Sequence, residues 1–266
     1  MKVMVSRIAL VCMSLMVIGL IPAGQSIAAE IDPATIEGLW MFDDGAGKVA
    51  KDSSGAGLDG ALKGNPKWVD GVFGKALEFD GKAAFVEVPG HKNPTKAITV
   101  SLWMKSPTPA WSQHGFAVSK RDAYIIHPNQ GTNMVAFPIC NGGCWNKPGG
   151  WADGAVGPKD ITEWHMYTAT FDSKTGEWKI YIDAVVESEL DLTKTPIAED
   201  LDVLWIGQDQ CCAPRFGNVL IDEVAILNVA LTEDEVQANF LGFDSALAVQ
   251  PADKLTTTWA DIKITQ

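Results

Sequence analysis

The stretch ICNGGCWNKPGGW at 139–151 sets two thiols, Cys140 and Cys144, beside two indoles, Trp145 and Trp151. Two more thiols stand side by side at Cys211 and Cys212, with Asp209, Gln210 and Arg215 around them. Four thiolates can hold zinc, but zinc-binding pairs usually keep about two to four residues between partners, so adjacent cysteines strain to reach one ion. Disulfides are the better chemistry for an exported chain. Three pairings are open. A vicinal bridge is rare, and the expectation is two links joining the 140–144 loop to the 211–212 loop.

Export is read from the first residues. Lys2 and Arg7 precede the apolar run IALVCMSLMVIGLI, and SIA at 26–28 supplies small residues for cleavage. The run is short for a spanning helix and nothing after Glu30 offers another, so no membrane insertion is expected once the signal is cut. A signal peptide over 1–28 places the mature chain outside the cytoplasm: secreted, periplasmic or on the cell surface. Cys12 leaves with it, so the mature chain keeps an even number of cysteines.

The indoles carry a second chemistry. Sugar rings present apolar C–H faces that stack on exposed indoles, and their hydroxyls seek Asn, Asp, Gln and Arg. Trp111, Trp145 and Trp151, with Asn141, Asn146 and Arg215, form the candidate set for a binding rim on the loops 111–154 and 208–217, with His114, Tyr124 and Asp153 nearby. Held rigid, such a rim orders little on binding. The competing assignment is that these tryptophans cover a core edge, since Trp is highly buried on average.

Charge excludes some partners. The chain carries a formal −12, about −14 without Lys2 and Arg7, and has no basic cluster, so nucleic acid and anionic lipid are disfavoured. Nucleophilic catalysis finds no G-x-S-x-G elbow, and histidines 91, 114, 127 and 165 are scattered. No glycine-rich phosphate cradle follows a strand.

The elements that must position these groups are short strands. GLWMF (38–42), KALEFD (75–80), AFVEV (84–88), AITVSLWMK (97–105), HMYTATFD (165–172), EWKIYID (177–183), VLWIG (203–207) and VLIDEVAIL (219–227) are separated by Gly, Asp, Asn and Pro. In 97–105, Ile98, Val100, Leu102 and Met104 share one face. In 219–227, alternation sets Leu220, Asp222 and Val224 on one face, and a carboxylate there needs a partner. SKTGEW (173–178) is a hairpin turn. Only LTEDEVQANFL (231–241) reads as a helix, with Thr232 as N-cap and Glu235 closing a capping box. Many antiparallel strands and one short helix near the C-terminus predict an all-β, two-sheet sandwich. The domain is placed at 30–242. A tail at 243–266 lacks a clear period.

Two segments, GLWMFDDGAGKVAKDSSGAGLDGALKGNPKWVDGVFGKALEFDGKAAFVEVP (38–89) and LWIGQDQCCAPRFGNVLIDEVAILNVALTEDEV (204–236), together resemble the opening and closing strands of laminin-G-like, concanavalin A-like jelly rolls of secreted bacterial proteins. The resemblance covers roughly 36–242. It implies two curved antiparallel sheets and binding of glycans or other surface ligands, and it implies a calcium ion in many members. On that resemblance Asp222 would hold calcium against the chain start, with Asp43 or Asp44 as acidic partner and Asp52 or Asp59 contributing. Calcium takes about six to eight oxygens. The plain alternative is that Asp222 accepts backbone hydrogen bonds and the others cap turns.

Glucanases of this fold place two carboxylates on one strand. ESELD puts Glu187, Glu189 and Asp191 on one face, but in the order Glu-x-Glu-x-Asp and without an aromatic platform. The reading is therefore a non-catalytic module whose partner is a carbohydrate or glycoconjugate. A glycoside hydrolase or polysaccharide lyase of the same fold, or a protein-binding adhesion or spacer domain, is the alternative.

Overall fold

The structure, a computed structural model, describes residues 29–112, 115–145, 148–209 and 215–247, apart from the side chains of Asp244 and Ser245. Residues 1–28, His114, Asn146, Gln210, Cys211, Cys212 and the tail beyond Leu247 lie outside the described residues.

Strands β1 (Ile36–Trp40), β2 (Val49–Ala50), β3 (Gly60–Lys63), β4 (Lys67–Asp70), β5 (Lys75–Asp80) and β6 (Phe85–Val88) come first. Then follow β7 (Ala97–Lys105), β8 (Val118–Lys120), β9 (Tyr124–Pro128), β10 (Val135–Ala136), β11 (Gly154–Ala155), β12 (His165–Asp172), β13 (Glu177–Ile182) and β14 (Val185–Asp191). The chain closes with β15 (Leu204–Ile206), β16 (Gln208–Asp209), β17 (Arg215–Phe216), β18 (Asn218–Leu227), α1 (Glu233–Asn239) and α2 (Phe243–Ala246).

They form the expected two-sheet antiparallel sandwich. One sheet runs β14-β13-β12-β7-β18-β5-β4, with β1 also on β18; the other runs β11-β10-β9-β8-β15-β6-β3-β2. β16 and β17 make a separate two-stranded ribbon. We call the first the helix-side sheet and the second the loop-side sheet, after what covers each outer face.

Local sequence explains the central strands. Ile98, Val100, Leu102 and Met104 of β7 all enter the core between the sheets, beside Tyr167, Ala169 and Phe171 of β12. β7 and β12 pair without a break from Ala97↔Asp172 to Met104↔His165. The hairpin to β13 turns at Gly176, whose φ of 84° a side chain would resist and whose N–H donates to Asp172 O (2.7 Å). α1 carries the expected capping box: Thr232 Oγ1 accepts from Glu235 N–H, and Thr232 N–H donates to the Glu235 carboxylate.

Two expectations change. A second short helix, α2, follows the first. Phe243 and Ala246 pack with Ile31, Val236 and Leu231, so the folded body continues to Leu247. In β18 the strict alternation also fails. Val219 and Ile221 enter the core, yet so do Val224 and Ile226, because the register against β7 shifts between Asp222 and Ala225. Glu223 takes a φ of 47° at this bulge, and one extra residue reverses the parity of everything after it. Asp222 and Val224 therefore do not share a face.

No helix among the described residues is long and apolar enough to cross a membrane.

Candidate binding site on the loop-side sheet

The site starts from the alternation of β9. Tyr124 and Ile126 point into the core, so Ile125 and His127 point out of the sandwich. β8 pairs with β9 from Val118↔Ile126 to Lys120↔Tyr124, and its outward residue is Ser119. The turn between them carries Arg121. Next to β8 in the sheet, β15 runs on into β16, where Asp209 is fully buried and accepts from Ser119 Oγ (3.0 Å) and Arg121 Nη1 (2.8 Å).

Over this face folds the loop 139–151. Cys140 and Cys144 are bonded to each other, with Cα atoms 4.2 Å apart. This corrects the expected inter-loop links: both thiols are used on each other, the bridge tightens its own loop, and Cys211 and Cys212 lie outside the described residues. Main-chain bonds seat the loop. Cys140 N–H donates to Ala123 O (2.8 Å), Ala198 N–H donates to Cys140 O (2.7 Å), and Trp151 N–H donates to Trp145 O (3.1 Å). Trp145, directly after the disulfide, takes a φ of 65°, which a bulky residue adopts only when its surroundings impose it.

What the loop carries is a ladder of rings and cations. Trp145 and Trp151 stack at 5.1 Å and 30°, and both are half-buried. The Arg121 guanidinium lies 5.1 Å from the Trp145 ring centre and 5.9 Å from that of Trp151, within cation–π reach, while Asp209 holds its other side. His127 meets Trp151 edge-on at 5.0 Å and Phe116 at 4.7 Å. Its Nδ1 pairs with Asn129 Oδ1 (2.9 Å), which fixes the ring plane. Arg215 lies over the Phe116 ring at 5.9 Å and is itself exposed. His127, Asn129, Trp151 and Arg215 line an open pocket of about 400 Å³, in the size range of small-ligand sites.

Three of the six residues named from sequence come together here: Trp145, Trp151 and Arg215. Two do not. Trp111 is 2% exposed, packs edge-on against Tyr167 between the sheets, and belongs to the core. Asn141 is 1% exposed, and its Nδ2 donates to Thr193 O (2.9 Å), tying the loop down. Tyr124 is likewise core, and Asp153 Oδ2 accepts from Gly149 N–H (2.8 Å). Asn146 lies outside the described residues. The sequence reading missed Arg121, His127, Phe116 and Asn129. The signal for His127 was present in YIIHP, where period two places it opposite Tyr124 and Ile126.

The carboxylates play a different part. Asp222 is fully buried: its Oδ2 accepts from Val72 N–H (2.9 Å) and Phe73 N–H (3.2 Å), its Oδ1 from Glu223 N–H (2.9 Å). Burial pushes its pKa up to about 7 against the pull of these N–H groups, and Asp43 adds to the push. Asp43 Oδ1 accepts from Lys75 N–H (2.8 Å), and Asp44 Oδ2 accepts from Lys51 N–H (2.9 Å). A Cβ on Gly71 would collide with the Asp222 carboxylate and one on Gly74 with that of Asp43, so the 71–75 turn is shaped around both. Asp52 and Asp59 cap the neighbouring turn: Asp52 takes Leu39, Ser54 and Leu58 N–H, and Asp59 takes Asp52 N–H and Lys51 Nζ. Calcium calls for converging vacant oxygens. Here N–H donors face the carboxylates, and among the described residues no three His, Cys, Asp or Glu side chains form a metal-binding group. The hydrogen bonds in place are those of carboxylates capping turns. Glu187, Glu189 and Asp191 lie exposed on β14, the edge strand of the helix-side sheet.

Residues 80–237 match the family described as the concanavalin A-like lectin/glucanases superfamily. No curated protein matches the chain in sequence. Among solved structures, the binding domain of Paraclostridial Mosquitocidal Protein 1 superposes with a TM-score of 0.61 at 14% identity, covering 78% of this chain and 52% of that one. The binding domain of Botulinum neurotoxin DC, solved with rat synaptotagmin II, gives 0.60 at 12%, covering 79% and 52%. Domain 4 of AbnA, a GH43 extracellular arabinanase from Geobacillus stearothermophilus, solved with arabinotriose, gives 0.54 at 19%, covering 76% and 97%. The chain thus spans about half the length of the toxin domains and matches nearly the whole of the arabinanase domain. At these identities the neighbours speak for the fold. With the two-sheet antiparallel architecture on the page and the family match spanning more than half the sequence, the chain belongs to the concanavalin A-like lectin/glucanases superfamily.

Proposed function

We propose that the protein is an exported, non-catalytic module that binds carbohydrate through the ring ladder on the loop-side sheet. The observation that carries the reading is the pair of stacked, half-exposed indoles, Trp145 and Trp151, beside the pocket of His127, Asn129 and Arg215. An indole offers a flat apolar face for sugar C–H groups, while the imidazole, amide and guanidinium supply polar partners for hydroxyls. The parts are set before a ligand arrives: the disulfide shapes the loop, Arg121 is clamped by Asp209, and His127 by Asn129. Little ordering is left for binding to offset. The reading uses no metal, since every contact it invokes belongs to rings, amides and cations.

Two fold neighbours' descriptions name a sugar or a glycolipid, and a third names a protein, rat synaptotagmin II. The arabinanase domain was solved with arabinotriose, and cell entry of botulinum neurotoxin type C depends on two ganglioside molecules. Export rests on the signal-like sequence of 1–28 and accords with the disulfide, which persists in oxidising compartments. The test is a glycan array probed with wild type and Trp151→Ala. Binding that falls at least about tenfold in the variant, in the range of losing a stacked aromatic contact, supports the reading. Absence of binding to any glycan overturns it and points to a protein partner.

A further inference from the structure

Resting on that reading, we infer that the sugar recognised carries a negative charge, a carboxylate or sulfate, which Arg215 engages at the mouth of the pocket. The inference comes from the distribution of charge at the site. The chain carries −12 overall, so a cation without a carboxylate beside it stands out. Arg121 and Arg215 both reach the ring ladder, but their situations differ. Arg121 is bound to Asp209, and its charge is balanced. Arg215 stands opposite Asp209 in the β16–β17 register and would be its natural cross-strand partner. Asp209 is turned inward to Arg121 and Ser119 instead. Among the described residues no carboxylate lies within ion-pair distance of Arg215. Its guanidinium rests on the Phe116 ring, exposed, with a wall of the pocket formed by its own side chain.

A guanidinium carries a planar fork of donors that matches a carboxylate or sulfate with two parallel hydrogen bonds, and the Phe116 ring beneath limits the directions it can take. In the same pocket, the Asn129 amide is suited to a hydroxyl. The pocket therefore combines an apolar wall for a sugar ring, Trp151, with a fixed positive edge for an acidic substituent. A neutral sugar would leave that edge facing water alone.

The experiment compares oligogalacturonate, its carboxyl-reduced neutral counterpart and a sulfated galactan oligosaccharide by titration calorimetry at low salt. Wild type is expected to prefer at least one anionic ligand to the neutral one by about fivefold or more, the effect of one exposed charge pair. Arg215→Gln should bring that ratio close to one, and Arg215→Lys, which keeps the charge but loses the fork, should fall between. Lys48→Gln makes the same charge change at an exposed position outside the site and should leave the ratio as in wild type. Which anion wins identifies the acidic group. Equal affinity for neutral and anionic ligands, or a ratio unmoved by Arg215→Gln, overturns the inference while the carbohydrate reading stands. Failure of all three ligands and of the glycan array overturns both.

Discussion

The two outer faces of the sandwich are covered in opposite ways. On the helix-side sheet, the outward residues of β7 should have been the wet half of an alternating strand. Thr99, Ser101 and Trp103 are buried instead, because α1 and α2 close over them. The hydroxyls and the amide under the cover are paired: Ser101 Oγ bonds Thr168 Oγ1 (2.7 Å), Asn239 Nδ2 donates to Ser101 Oγ (2.8 Å), and Thr99 Oγ1 donates to Val229 O (2.7 Å), while the Trp103 indole N–H is buried without a partner among the described residues. On the loop-side sheet the cover is an irregular disulfide-tied loop. Its rings meet the face edge-on and at angles, and they leave a pocket. A helix supplies continuous apolar surface and seals the part of the sheet beneath it; the cleft of about 470 Å³ on that side lies at the start of α1, among polar side chains such as Thr170, Lys179 and Glu233. A loop supplies a few large groups with gaps between them, and gaps bordered by rings and cations are where ligands bind.

The sharpest test of this contrast removes one tryptophan from each face. Trp103 stacks on Phe240 at 5.2 Å and meets Phe73 edge-on at 5.9 Å beneath the helices. Trp103→Ala should lower unfolding free energy by about 3–5 kcal/mol, as expected for a buried aromatic truncated to a cavity. Glycan binding by the folded fraction should not change. Trp145→Ala, half-exposed on the other face, should lower it by less than about 1.5 kcal/mol while removing most of the binding. Urea unfolding curves and calorimetric titration of both variants check the pair. A reversed pattern would mean that the loop is the seal and the helices the site.

Between the faces lies His91, buried against Trp40 of the shared core. It is 2% exposed near Trp40, and neither ring nitrogen has a partner among the described residues. Burial, aided by the nearby Lys120 ammonium, lowers its pKa to about 4 from the ordinary 6.5. The neutral ring is favoured in the fold, so the unfolded chain binds the extra proton between these values. Stability contributed by the neutral ring is complete above pH 6.5 and is lost as pH falls toward 4, about 3 kcal/mol in all. His91→Leu should flatten melting temperature over that window. Because His91 sits in the shared core, fluorescence from the loop tryptophans and circular dichroism should report one transition. Two separate acid transitions would show that the faces come apart independently.

Much of the helix-side face was legible in sequence, because its signals are local. Period two set β7 and β12 to the residue, and Thr232 with Glu235 spelled out the start of α1. The β18 bulge was not, because one extra residue reverses parity without a glycine to mark it, and Glu223 takes the positive φ. The loop-side face was half legible. Trp145, Trp151 and Arg215 stood out as chemistry, but Trp111 is the same residue type and lies in the core. Which indole is exposed depends on which side of the sheet the chain passes, a fact of tertiary packing. Arg121 and His127 sit in ordinary strand and turn sequence, and only the pairing of β8 with β9 and β15 brings them under the rings. The partner of Cys140 was misplaced for a related reason: the chain turns back within five residues, closer than any distant loop.

That disulfide gives a smaller test of the same contrast. A link closing so short a loop should contribute about 2 kcal/mol, less than one closing a long loop. Reduction in the native state should therefore lower the melting temperature modestly, while releasing the segment from which Trp145 projects. Glycan affinity should fall under reductant, and Cys140→Ser/Cys144→Ser should show the same weakening without it. Binding that survives reduction unchanged would mean that main-chain bonds alone hold the ring pair.

The smallest expected effect concerns calcium. An ion that binds only the folded state raises its stability in proportion to the logarithm of ligand over dissociation constant. Here both Asp222 oxygens and Asp43 Oδ1 accept from the N–H groups of Val72, Phe73, Glu223 and Lys75, and Gly71 and Gly74 bring that turn close enough to do so. An ion would have to displace donors that the backbone cannot withdraw without opening the turn. Melting temperature in millimolar calcium and in excess chelator should therefore coincide, and so should glycan affinity. A rise with calcium that Asp222→Asn abolishes would show the turn opening to admit the ion. The helix-side sheet would then carry a ligand of its own at its edge, and the division between a sealed face and a binding face would no longer hold.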